Sequence, residues 1–146
     1  MRDRQITLTR LIAAPQAMVW AAWTNPDLLP NWFGPEGYSC KTKEIALHQG
    51  GIWRFDMIAP DGTIFANRHR YTLSDPPHRL HFLMDDDSDA SAPKEVEVTL
   101  SAEGDATRLI MCITFPTAAA RAEAESYGAE ELGYTTLAKL AAMVER

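Results

Sequence analysis

Four alternate residues near the middle of the chain, Phe65, Asn67, His69 and Tyr71, set an amide and an imidazole between two aromatic rings. In an extended strand alternate side chains share a face, so if the bulky Phe65 and Tyr71 point inward, Asn67 and His69 do too. An inward polar pair has to be satisfied by protein, water or a ligand. An imidazole titrating near pH ~6.5 can orient a ligand oxygen or act as a general acid–base, and an amide beside it can fix a carbonyl or hydroxyl. A one-residue slip or a bulge would put both outside, and a bond from His69 to a backbone carbonyl is the plain structural alternative. Arg68 and Arg70, on the opposite parity, then lie outside as solvated partners for the acidic surface.

The same parity rule collects further candidates. Trp53, Phe55 and Met57 alternate in the stretch opened by Gly50-Gly51, and Leu80, Phe82 and Met84 alternate in another. Met111, Ile113 and Phe115 do so near the end of the strand-rich region. Each of these apolar residues taken singly reads as ordinary core. As a set, the thioethers and flat rings suit a pocket that adapts to apolar ligands. The candidate ligand-binding set is Trp53, Phe55, Met57, Phe65, Asn67, His69, Tyr71, Phe82, Met111, Ile113 and Tyr134, bordering an enclosed pocket of a few hundred Å³. Glu130 or Glu131, at helical spacing from Tyr127 and Tyr134, could reach the mouth of such a pocket, although helix carboxylates are usually solvated. His48, His78 and His81 are scattered without metal-ligand spacing, and Cys40 and Cys112 stand far apart as expected free, buried thiols. No nucleophile signature, phosphate loop or dinucleotide fingerprint occurs, so no catalytic residue is assigned and no cofactor or metal is expected.

These residues need elements to position them. Residues 5–12 alternate as a first strand. Pro15 suits the start of a helix over about 16–23, and Asn25-Pro26 starts a second, shortened by Pro30, over about 26–32. Six strands at hairpin spacing follow, near 38–47, 51–58, 63–74, 78–85, 94–102 and 106–115. Gly50-Gly51, Pro60-Asp61-Gly62, Pro76-Pro77 and Gly104-Asp105 punctuate them. The alanine-rich segment 117–145 carries Tyr127, Tyr134, Leu137, Ala141 and Val144 at helical spacing, which predicts one continuous amphipathic helix. Gly128 and Gly133 within it point to a bend or to close packing. An antiparallel sheet has a face to cover, and this helix is long enough to cover it.

At 146 residues with 46% apolar and 23% charged residues, the chain reads as a single domain, 1–146, with a sizeable core. A net charge of −6 argues against nucleic acid. The run Asp85-Asp86-Asp87 with Asp89 reads as a solvated loop. Without an apolar leader segment or a stretch of about 18 apolar residues, a cytoplasmic protein with no membrane insertion is expected.

Taken in order, these motifs resemble a known family. Arg10-x-x-x-Ala14-Pro15 before Val19-Trp20, then Asn25-Pro26-x-Leu28-x-x-x-Trp32, is similar to its opening signature. Gly50-Gly51-x-Trp53-Arg54-Phe55-x-Met57 with Pro60-Asp61-Gly62 is similar to its central one. Asp75-Pro76-Pro77-x-Arg79-Leu80, Ala106-Thr107-Arg108-Leu109 and Leu132-Gly133-Tyr134 with Leu137 and Leu140 complete the match, Tyr134 standing where the family carries tryptophan. The chain thus resembles the heat-shock protein 90 ATPase activator homologue branch of the START-like (SRPBCC) superfamily. The resemblance implies an α+β helix-grip (Bet v 1-like) fold: a curved seven-stranded antiparallel sheet around a C-terminal helix, with two short helices after the first strand and a hydrophobic cavity inside. It implies binding of a small hydrophobic molecule such as a lipid, polyketide or aromatic metabolite. Cyclase- or dehydratase-type chemistry in the same cavity, using His69 with Asn67 or a helix glutamate, is the alternative. A chaperone-linked interaction module docking through the outer sheet face is a third reading, and a homodimer is left open. The separate domain through which eukaryotic members also contact the chaperone has no room in this chain.

Overall fold

The alternation of apolar and polar residues is realised as one sheet in the computed structural model, which describes residues 2–145. Its strands are β1 (Gln5–Ile12), β2 (Ser39–Ile45), β3 (Ile52–Ile58), β4 (Ile64–Asp75), β5 (Arg79–Asp85), β6 (Lys94–Glu103) and β7 (Ala106–Thr114). They lie in the order β1-β7-β6-β5-β4-β3-β2, every pair antiparallel. Successive strands from β2 to β7 are therefore neighbours. Between β1 and β2 the chain passes from one edge of the sheet to the other through α1 (Gln16–Thr24) and α2 (Leu29–Trp32). All seven strands fall within two residues of the expected limits. Register places Trp53 beside His69, His69 beside Met84 and Met84 beside Lys94, a row running across the inner face from β3 to β6.

The C-terminal segment departs from expectation. It is two helices, α3 (Ala118–Ser126) and α4 (Ala129–Val144), rather than one. The break is at Gly128, whose φ of 77° is left-handed. Such a residue cannot continue a right-handed helix, and glycine adopts it without a steric penalty. Periodicity of side chains carries no trace of that backbone reversal. α4 buries Thr136, Leu137, Leu140, Ala141 and Val144 as one stripe and packs on β1, α1 and α2. Tyr127 and Tyr134, expected on that stripe, are exposed. Gly133 allows the close approach to β1: a Cβ there would come within 2.5 Å of Leu8 Cδ1.

Aromatic rings fill one end of the space between sheet and helices. Trp23 and Trp32 meet edge to face at 4.7 Å, and the Trp32 indole donates to the Ala22 carbonyl at 2.9 Å. Phe33 bridges this pair to the sheet, touching Trp53, Phe55 and His69. Trp53 and Phe55 stack at 3.6 Å. These large rings gain both from burial and from their edge-to-face geometry.

On the outer face, the acidic run is only partly the solvated loop expected from sequence: Asp86 and Asp89 are exposed between β5 and β6, whereas Asp85 and Asp87 are drawn into ion pairs. Asp85 lies opposite Arg68 in register and is buried beneath it, receiving hydrogen bonds from Arg68 at 2.7 and 2.9 Å and from Arg70 at 3.0 Å. Asp87 takes a two-pronged grip from Arg54. Burial alone would raise the Asp85 carboxyl, but the Arg68 hydrogen bonds, the Asp87 N–H and both guanidinium charges outweigh it and hold Asp85 below the usual aspartate range.

Candidate functional site

At the other end of the grip the packing opens into a hollow of about 260 Å³. Met57 of β3, Asn67 of β4, Met84 of β5, Lys94 of β6, Met111 and Ile113 of β7 and Leu8 of β1 form its sheet wall. Ala129, Leu132, Gly133 and Thr136 of α4 face them, and Phe33, Gly34 and Pro35 close one side. Three methionines in one lining make a wall that reshapes at low cost, since the thioether chain has several soft torsions.

Two side chains of α4 fasten the loop that forms that side. The Lys139 ammonium donates to the carbonyls of Gly34, Pro35 and Tyr38 at 3.1, 3.2 and 3.2 Å, and the Thr135 hydroxyl accepts from the Glu36 N–H at 3.0 Å. Beneath the loop, the half-buried Cys40 thiol donates to the Phe33 carbonyl at 3.3 Å. Burial pushes this thiol up to about 11, against a smaller opposing pull from the Lys139 charge, so it is a packing group rather than a nucleophile.

Of the residues expected to line the pocket, Met57, Asn67, Met111 and Ile113 do so. Trp53, Phe55, His69, Tyr71 and Phe82 point inward as parity requires but lie in the filled end, each at most 3% exposed. Parity fixes the face of a residue and not its position along the groove. There, Phe33 and the tryptophan pair arrive from distant sequence to occupy the space. Phe65 sits at the lip of the sheet, half exposed, lining an adjoining hollow of about 310 Å³ with Asn67, Met84 and Lys94. Tyr134 is turned away and its hydroxyl accepts from the Thr9 N–H on β1 at 3.4 Å. Glu130 and Glu131 do not line the hollow.

His69 is therefore a core residue. Its ring stacks on Phe82 at 4.4 Å and meets Phe33, Trp53 and Phe55 edge on. Nδ1 lies 3.4 Å from the Tyr71 hydroxyl, and Nε2 has no hydrogen-bond partner among the described residues. Burial first, and the Lys94 charge second, push it down to about 3, so the imidazole is neutral throughout the physiological range. Asn67 donates from its amide to the Phe65 carbonyl at 3.0 Å and stays at the edge of the hollow.

Lys94 borders the hollow but lies outside the set expected from the sequence. Alternation along β6 carries the signal, because Lys94 shares its parity with the buried Val96, Val98 and Leu100. A lysine opening a strand ordinarily reads as solvated, so the residue type masks the pattern.

The sequence and fold both have known counterparts. A family model described as Activator of Hsp90 ATPase homolog 1-like protein matches residues 13–145. A comparison with curated proteins gave no match. The crystal structure of a protein from Chromobacterium violaceum is 28% identical, with a TM-score of 0.81 over 97% of this chain and 98% of that one. A crystal structure from Nitrosomonas europaea is 25% identical, with a TM-score of 0.86 over 99% and 96%. An activator-homologue protein of Silicibacter pomeroyi is also 25% identical, with a TM-score of 0.77 over 95% and 96%. With the family model spanning all but the first strand and these structures following the fold from end to end, the chain belongs to the Activator of Hsp90 ATPase homolog 1-like family, within the START-like (SRPBCC) superfamily.

Proposed function

We propose that the protein binds a small hydrophobic molecule in the hollow between the sheet and α4. The observation that carries this reading is the lining itself: Met57, Met84 and Met111 converge with Leu8, Ile113 and Leu132 around about 260 Å³ of unfilled space. Elsewhere the same groove is packed with interlocking rings. A core built only for stability would be filled here as well, because an apolar void forfeits contacts on every wall. The volume falls just under the ~300–1,000 Å³ typical of drug-sized ligand sites. It suits a single-chain or compact ring molecule rather than a two-chain lipid.

Catalysis by His69 has less support, since the imidazole is sealed behind Phe33 and Phe82 and does not border the hollow. Docking of a chaperone on the outer sheet face is likewise less favoured, as arginine–aspartate pairs occupy much of that face.

An apolar fluorescent probe that brightens out of water tests the proposal. It is expected to bind the protein, and Met57→Trp or Met111→Trp, each filling the hollow, is expected to weaken it at least about tenfold while the fold is kept. Undiminished binding by both variants would remove the hollow as the site.

A further inference from the structure

Lys94 stands where three hollows meet. It lines the methionine-walled hollow, the adjoining one beside Phe65, and a third of about 390 Å³ beneath α3, walled by Phe115, Ala120, Ala124 and Tyr127. Its ammonium lies 5.7 Å from the Phe115 ring centroid and has no carboxylate partner among the described residues. Cations inside a protein are normally paired. The ring face offers Lys94 a weak substitute, and Arg54, Arg68 and Arg108 all have carboxylate partners by comparison.

From this placement we infer that the ligand is an amphiphile with a single carboxylate, whose oxygens meet the Lys94 ammonium while its apolar body lies along Met57, Met84 and Met111. The inference rests on the hollow being a binding site, and it adds the chemical class of the occupant. Asn67, also at the hollow's edge, uses one amide hydrogen on the Phe65 carbonyl and has a second free to donate to the same carboxylate. Charge count selects a monoanion. Asp86 and Glu123 line the two hollows that Lys94 shares with the methionine-walled one, and Asp85 beside Asp86 is already held by Arg68 and Arg70, so a phosphate dianion would meet one positive charge and two uncompensated negative ones. Burial holds Lys94 below the usual lysine range, and a bound carboxylate would restore its charged form.

Decanoic acid and decan-1-ol, matched in chain length, separate the head group from the tail when titrated by calorimetry. The intact protein is expected to bind decanoate more tightly than the alcohol. Lys94→Met is expected to lower decanoate affinity at least about tenfold, the usual loss for a charge-assisted bond, and to leave decanol nearly unchanged. Lys94→Arg should retain most of the preference, which guards against a folding defect in the first variant. Equal losses for the two probes, or no loss for either, would overturn the carboxylate assignment while leaving the hollow as an apolar site. Binding of neither probe by the intact protein would remove both readings.

Discussion

The His69 ring is held by stacking more than by hydrogen bonds, and that has a measurable consequence in acid. Its folded-state value is pushed down to about 3 by burial, well under the ~6.5 of an exposed histidine. Above about pH 6.5 neither the folded nor the unfolded state holds the proton, and the residue contributes no pH dependence. As the pH falls below that, the unfolded chain takes up a proton that the fold refuses. Stability is then lost at roughly 1 kcal/mol per pH unit until the folded value is reached. Carboxyl groups in general, with reference values near ~4, add little to a slope read between pH 6 and 5. Urea unfolding of His69→Phe, which keeps a ring on Phe82, should show a flatter dependence across that interval than the parent chain. An unchanged slope would mean that the imidazole is not shielded as described. Alternation along β4 places this residue on the inner face, where it lies in the packed end rather than along the hollow. Inward polarity suits a ligand anchor, but Phe33, held by Trp23 and Trp32 far away in the chain, closes over the imidazole together with Trp53, Phe55 and Phe82.

Among the elements, the broken C-terminal segment matters most, because α4 forms one wall of the hollow and α3 covers the neighbouring groove. Strand limits were legible from alternation and from turn residues such as Pro60-Asp61-Gly62, where the Gly62 N–H closes the turn on the Ala59 carbonyl at 2.9 Å. The helix break was not, since alanine-rich periodicity runs on either side of it without a change of phase that sequence would reveal. Its cause is one left-handed residue. Replacing Gly128 with alanine keeps the helix-favouring composition and forces a Cβ into that conformation, at a cost of roughly 1 kcal/mol. Gly128→Ala should therefore lower the urea midpoint by a corresponding amount. A gain in stability would show that the two helices can join, and would contradict the break as a fixed feature of the fold.

For the whole molecule, the grip is filled at one end and open at the other, and that asymmetry is the basis of the binding proposal. The motifs, taken in order, make the architecture readable from sequence, while depth along the groove is not, because it depends on which side chains arrive from elsewhere. Trp53 and Met57 alternate on one strand, yet the first is sealed under Phe33 and the second borders open space. The methionine methyls distinguish these regions directly. Met57, Met84 and Met111 line the hollow, Met143 packs against the core away from it, and Met18 is exposed on α1. In protein labelled with carbon-13 at the methionine methyl groups, adding decanoate should shift the resonances of Met57, Met84 and Met111 together and leave those of Met18 and Met143 in place. Shifts confined to Met18, or none in the hollow at concentrations where calorimetry registers binding, would contradict the assignment of the hollow as the ligand site.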